Sequence, residues 1–295
     1  MEEIIYNYLC DCEELSGMLT TWADSPAIFQ TKAPDDKDED WGHSQYPRII
    51  FDLDMQADPE RKISGQLMID VMCEDKSDSV QIEELEAVAK AMVDGCFFSN
   101  SDLTISAQWR NSSPFEQGQG NGSLIGYTLI FDILAYPNQL TTDPDPIAAT
   151  NLWIKTLYQD ARVIGKDALP TTWKPSDESP AIYCSLFRMG ESPRLKSTYS
   201  VDWIGAELHI YVMAPSENVR ATISKQIIQL LTHATRIILS DGSPMLIDRT
   251  NVNLAADPLR TGQIVVNATY GVLTAKSGIK LKHTYISGMN AESEV

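Results

Sequence analysis

The sequence predicts an α+β fold built as two copies of a small module, each a mostly antiparallel sheet covered by two helices. Three observations lead there. A chain of 295 residues suggests about two domains rather than one. Stretches of period 3.6 and of period 2 follow the order helix, strands, helix, strands, and that order occurs twice. Gly65-Gln66-Leu67-Met68-Ile69-Asp70-Val71-Met72 also resembles Gly205-Ala206-Glu207-Leu208-His209-Ile210-Tyr211-Val212-Met213, and each is followed by a polar turn and an amphipathic stretch. The expected division is a first module at 1–137, a linker at 138–146, a second module at 147–276 and a flexible tail at 277–295.

In the first module a helix is expected over residues 2–22, where Ile4, Ile5, Tyr8, Leu9, Cys12, Leu15 and Leu19 form one apolar stripe. Ser25-Pro26 ends it and Ala27-Ile28-Phe29 reads as a short strand. A polar loop over 32–45 carries Asp35, Asp36, Asp38, Glu39, Asp40 and Trp41. Beyond Pro47, Ile49, Phe51, Leu53 and Met55 alternate with more polar neighbours, as in a sheet with one face on a core. A strand over 65–72 should turn Leu67, Ile69 and Val71 inward. A helix over 79–97 follows, with Ser79 as its N-cap, Glu83, Glu84 and Glu86 in its early turns and Gly95 near its end. Two strands close the module: a loosely alternating one over 103–109 and a regular one over 126–136. Between them, residues 115–122 read as a long, mobile hairpin tip.

The second module repeats this plan with a helix over 147–164, a strand over 170–173 and a loop at 174–178. A Pro180-led strand matches the Pro47-led one, and Glu191–Lys196 matches the turn at 57–62. The 205–213 strand leads to a helix bearing Val219, Ile223, Ile227, Leu230, Leu231, Ala234 and Ile238. Strands over 245–254 and 263–273 end the copy. A competing register sets Thr20-Thr21-Trp22 beside Thr171-Thr172-Trp173. The first register keeps every later element in order.

Composition narrows the function classes. Hydrophobic residues make up 43%, enough for a core in each half. No apolar run approaches the ~18 residues that cross a bilayer, and the acidic Met1-Glu2-Glu3 is unlike a secretory signal, so a soluble protein that stays in its compartment of synthesis is expected. Cys10, Cys12, Cys73, Cys96 and Cys184 sit among apolar residues, as core thiols do. The net charge of −18 is uneven. Residues 1–145 hold 28 acidic against 8 basic residues, net −20, and residues 146–295 hold 13 against 15, net +2. Such a surface opposes binding of a phosphate backbone.

No motif points to catalysis, a metal or a cofactor. Read as a calcium loop from Asp36, the acidic segment has Trp41 and Pro47 where glycine and a bidentate glutamate belong. Gly118-Gln119-Gly120-Asn121-Gly122 leads into a strand rather than a helix and lacks a following Lys-Ser/Thr, so it is no phosphate loop. His43, His209, His233 and His283 lack partners at metal-binding spacing, with His209 at a solvent-facing strand position. No nucleophile elbow occurs.

One resemblance remains. Ala27-Ile28-Phe29, Lys32-Ala33-Pro34, Tyr46-Pro47-Arg48-Ile49-Ile50-Phe51 and Gly65-Gln66-Leu67-Met68-Ile69-Asp70-Val71 resemble the tail-terminator or tail-completion proteins of tailed bacteriophages, which close the tail tube and join it to the head. The likeness covers most of 1–137 and, more faintly, 147–275. It implies a small α+β fold, a homo-oligomeric ring, no enzymatic activity and no cofactor. It further implies a place in the virion tail or neck after assembly in the host cytoplasm, against tail-tube and head-connector proteins, with DNA as passing cargo. The duplication departs from the single-module family and leaves the number of chains per ring open. Asp35, Asp36, Asp38, Glu39, Asp40 and Trp41 are the expected partner-facing loop, and Arg188, Arg194, Lys196 and Arg220 the expected basic contacts between chains. The alternative is a tandem ferredoxin-like ligand-binding or regulatory protein, which should carry a concave pocket between its copies.

Overall fold

A computed structural model describes residues 1–42, 44–55, 64–74, 82–118, 123–138 and 142–273. The first half runs α1 (Glu2–Cys10), α2 (Glu13–Met18), β1 (Thr21–Trp22), β2 (Ser25–Pro26), β3 (Ile28–Gln30), β4 (Arg48–Met55), β5 (Gly65–Glu74), α3 (Ile82–Val93), β6 (Phe97–Ser99), β7 (Leu103–Gln117) and β8 (Leu124–Pro137). The second runs α4 (Pro146–Leu157), β9 (Arg162–Ile164), β10 (Thr172–Trp173), β11 (Ala181–Glu191), β12 (Val201–Met213), α5 (Glu217–Ala234), β13 (Arg236–Ile238), β14 (Pro244–Val252) and β15 (Ile264–Leu273). The chain is therefore mixed α+β. Each half centres on one sheet, ordered β6-β7-β8-β5-β4-β3 in the first and β13-β14-β15-β12-β11-β9 in the second. The orders correspond strand for strand. In both, the last pairing (β3 with β4, β9 with β11) is parallel and the others are antiparallel.

Alternation sets which face each strand buries. Ile49, Phe51, Leu53, Leu67, Ile69 and Val71 turn to the helical side, where Ile5, Leu9, Leu15, Leu85, Ala89 and Val93 complete the first core. Ile182, Cys184, Leu208, Ile210 and Val212 meet Ile154, Ile227 and Leu231 in the second. Glu83 and Glu84 lie in the first turn of α3, and Gly95 takes the left-handed conformation (φ 71°) just past its end, as the sequence suggests. At α4 the Asp145 carboxylate accepts from the backbone N–H of Ile147 and Ala148, with Pro146 in the first turn. Asp145 and Pro146 thus start a helix instead of belonging to the linker.

Several expectations need correction. The helix expected over 2–22 is two short helices, because Cys12 is extended (φ −79°, ψ 105°) and Glu13 and Glu14 begin a new N-terminal turn where the helix dipole favours them. Thr21 and Trp22 are strand. Among the described residues the first half therefore carries three helices and the second two. The helix expected over 147–164 stops at Leu157, and Arg162–Ile164, with its β-branched pair, pairs with β11. This strand, rather than 170–173, holds the place of β3. The Gly65 and Gly205 match is one residue out of step: Leu67, Ile69 and Val71 occupy the places of Leu208, Ile210 and Val212, so Gly65 corresponds to Ala206. The strand expected over 103–109 continues to Gln117. Ser79, the turn at 57–62, the glycines at 120–122 and the tail at 277–295 lie outside the described residues.

The largest departure is β10. Thr172–Trp173 leaves its own half and pairs antiparallel with β6, adding a seventh strand to the first sheet. The Trp173 indole stacks on Phe97 at 4.6 Å and donates to Ser99 Oγ at 3.1 Å. Around it, outward-facing Phe97, Tyr136, Tyr183 and Met213 form a third buried cluster that joins the helix-free sides of the two halves. Tyr183 donates to Pro137 O (3.0 Å) and Tyr136 to Leu259 O (3.1 Å) across this seam. Burial pushes both phenols well above their ordinary range, so they stay protonated donors. Asp132, 6% exposed, accepts from Arg110 (3.1 Å) on the adjacent strand and from Arg260 (2.8 Å) of the other half.

Candidate interaction surfaces

The acidic loop is more structured than its composition suggests. Trp41 is buried. Its ring packs edge-on to Phe29 at 5.6 Å, Phe29 packs likewise on Trp22 at 5.8 Å, and the Trp41 indole donates to Asp35 O at 2.9 Å. Gly42 N donates to Thr21 O and Ala23 N to Asp40 O, tying the loop to β1. Asp36 pairs with Arg48 at 2.7 Å, and Arg48 lies over the Tyr46 ring at 4.4 Å. Trp41 is thus the loop's internal anchor and not a partner-facing side chain. Asp35, Asp36, Asp38, Glu39 and Asp40 remain exposed around it. The missed signal was the aromatic run Trp22, Phe29 and Trp41, which supplies an apolar anchor for a loop whose composition is otherwise polar.

The four basic candidates fall into two places. Arg188 pairs with Glu207 (3.0 Å) and Arg194 with Asp248 (3.0 Å); Arg188, Glu207 and Asp248 line one open cleft of about 510 Å³ at the far end of β11, β12 and β14, and Arg194 reaches it only through Asp248. Asp248 and Phe187 sit where the ladders shift register, so their side chains leave the regular pleat. Phe187 stacks on His209 at 4.4 Å, and His209 contacts Glu207 at 3.0 Å, so the imidazole is half-buried rather than solvent-facing. Lys196 is exposed in the connection after β11. Arg220 lies elsewhere, its guanidinium donating to the carbonyls of Ala214 and Pro215 beside α5.

Arg220 also lines a cleft of about 350 Å³ between the halves. Phe97, Met213 and Leu259 contribute apolar surface, and Asp94, Gln108, Lys174 and Arg220 the polar groups. Lys174 donates to Ala91 O (2.8 Å) and Asp94 O (2.6 Å), the carbonyl end of α3, where a cation offsets the helix dipole. Lys174 therefore clamps the halves whether or not the cleft is filled.

Cys73, Cys96 and Cys184 are buried and Cys10 and Cys12 half-buried; all five are thiols rather than disulfides. Burial pushes the Cys96 and Cys184 thiols upward, away from the reactive thiolate form. Among the described residues no group of three His, Cys, Asp or Glu side chains is placed to hold a metal ion, and no helix is long and apolar enough to cross a membrane. His43 and His283 lie outside the described residues, and His233 is exposed on α5. No family model, curated protein or solved structure matches this chain.

Proposed function

We propose that the chain is a non-enzymatic structural protein of a phage tail, a tandem duplication of one module, which closes the end of the tail tube and joins it to the head as a homo-oligomeric ring. The observation that carries the reading is the contact between the halves. Two sheets of equal strand order meet through different surfaces, a crossover strand from one and a sheet edge from the other. Contacts of that heterologous kind close into rings when the rotation permits, whereas self-complementary patches stop at a dimer. The charge supports the same use. A first half at −20 suits a surface that DNA passes without sticking. The virion tail or neck is the corresponding location, and tail-tube and head-connector proteins the corresponding partners.

The test is the mass of the purified chain at low and high salt, alone and with tail-tube protein, with rings sought by electron microscopy. The reading expects an assembly whose electrostatic share weakens with salt, since exposed charges are screened beyond about 8–10 Å at physiological ionic strength. A monomer at every concentration and salt, with no ring on tail-tube protein, would remove it.

The second reading, a tandem ligand-binding or regulatory protein, is favoured by the cleft at Phe97, Lys174 and Arg220. Its apolar surface and two cations suit a small amphiphilic anion. A rise in melting temperature with such a compound, lost in Arg220→Ala, would promote it.

A further inference from the structure

The strand orders of the two sheets differ at one end. In the first sheet β6 is covered by β10; in the second, β13 holds the equivalent place and among the described residues has β14 on one side and no strand on the other. The consequence shows in exposure. Phe97, Phe98 and Ser99 are all buried, whereas in β13 only Ile237 is buried, Arg236 is exposed and Ile238 is 55% exposed. An open sheet edge with an apolar side chain beside it is a template for pairing with another chain.

The chain contains a second segment in the topological position of β10. That strand lies in the crossover between the parallel neighbours β9 and β11; the matching crossover between β3 and β4 holds Asp40 and Trp41. Trp41 precedes its sheet strand by 7 residues and Trp173 precedes its own by 8. Each tryptophan anchors its crossover, Trp173 against the other half and Trp41 against Phe29 and Trp22 of its own.

Charge selects the occupant. On the β13 side, Arg236 is exposed with no ion pair among the described residues, and His233 is exposed in the last turn of α5. Asp241 in the following turn is the opposing charge, and its carboxylate already accepts from Ser243 N. The first crossover presents Asp35, Asp38, Glu39 and Asp40 exposed and without ion pairs among the described residues.

We infer that the free edge of β13 is completed by the acidic crossover segment at 35–41 of a second copy of this chain, repeating between chains the contact that β10 makes with β6 within one. The contact rests on the ring reading above and deepens it by naming both surfaces. It is heterologous, so each chain offers one edge and one crossover and binds two neighbours. Trp41 stays in its own half; the segment contributes backbone and carboxylates, with Asp38 and Asp40 placed against Arg236.

The experiment uses the full chain with a photo-crosslinking phenylalanine analogue at position 238, together with Arg236→Glu, Asp38→Arg/Asp40→Arg and their combination. Expected are interchain crosslinks to the peptide spanning residues 33–48, assembly weakened about tenfold or more in each charge variant, and recovery in the combined variant. Far-UV circular dichroism of the three variants should match the parent, because the altered side chains are exposed and the one bond lost, from Asp40 N to Asp38 Oδ1, lies in an exposed turn. Assembly at parental affinity in both charge variants, or crosslinks only to other segments, would overturn this interface while leaving the ring reading intact. A parent chain that stays monomeric overturns both.

Discussion

Replacing Trp173 by alanine tests whether β10 fastens the halves. The indole is buried, stacks on Phe97 and donates to Ser99 Oγ, and Arg162 lies over its ring at 5.0 Å. Large-to-small changes at buried tryptophan cost about 3–5 kcal/mol. Two details place this site at the lower end. Ser99 Oγ keeps Thr104 Oγ1 at 3.1 Å, so no buried hydroxyl is orphaned, and a two-residue edge strand can shift to fill part of the void. The expected loss is about 3 kcal/mol by urea denaturation, and Trp173→Phe, which keeps a ring on Phe97, should lose about 1 kcal/mol. The mode matters as much as the size. With the seam weakened, amide exchange should accelerate first at Phe97–Ser99, and one unfolding transition should separate toward two. A loss below about 1 kcal/mol with unchanged protection of β6 would refute the account of β10 as the fastening strand.

Three further outcomes follow from the same geometry. Asp132→Leu should cost about 2 kcal/mol by denaturant titration, because it removes the carboxylate shared by Arg110 and Arg260; their exposure of 39% and 34%, and the Asp257 partner that Arg260 keeps at 3.3 Å, hold the figure below that of a fully buried pair. Gly65→Ala should cost about 1–3 kcal/mol, since a Cβ there would overlap the Asp54 carbonyl oxygen on the paired strand, and the same assay reads it. Tyr136 and Tyr183 titrate above the ordinary tyrosine value near 10, so the folded state holds their protons more tightly than the unfolded one; their contribution is complete below that pH and declines above it, and tyrosinate absorbance should rise together with unfolding rather than before it.

Much of each half was legible because alternation is informative over long strands. Ile49, Phe51 and Leu53, and Leu67, Ile69 and Val71, are buried in the phase the pattern requires. Legibility fell where the pattern was short or broken. β6 and β13 have three residues each, too few for a period to register. Residues 103–109 alternate loosely for a physical reason: both faces are covered, Ile105 and Ala107 by the first core and Thr104 and Ser106 by Ser99 and Tyr136 on the other side. The one-residue error between Gly65 and Gly205 came from matching glycines instead of inward positions, and period 2 turns such a slip into the wrong face. The destination of β10 was not local information. A trace of the seam was nonetheless present, as Phe97, Tyr136, Tyr183 and Tyr211 place large aromatic rings at outward phases where a solvated face would be polar. Of the proposed contact residues, Arg188 lines a cleft and Arg194 pairs with Asp248 of the same cleft, while the burial of Trp41 depended on Phe29, a partner distant in sequence.

The seam also bears on why two modules would be fused. A sheet of this order has two ends. One is closed off by the three-residue β3 or β9, too short to template much pairing. The other, at β6 or β13, is the exposed liability. Covering β6 with β10 settles one such edge within the chain, and the tether makes that contact intramolecular, at an effective concentration that can reach the millimolar range for short flexible links. Its buried aromatic cluster owes little to charge, so salt leaves it intact. Among the described residues the edge of β13 remains uncovered, and the acidic crossover, bridged to β1 through Trp41, keeps exposed carboxylates opposite in charge to Arg236. On the proposed ring, the joint inside the chain would resist salt and the one between chains would not, so each chain would fold before it meets another and assemble through the edge that β10 leaves uncovered.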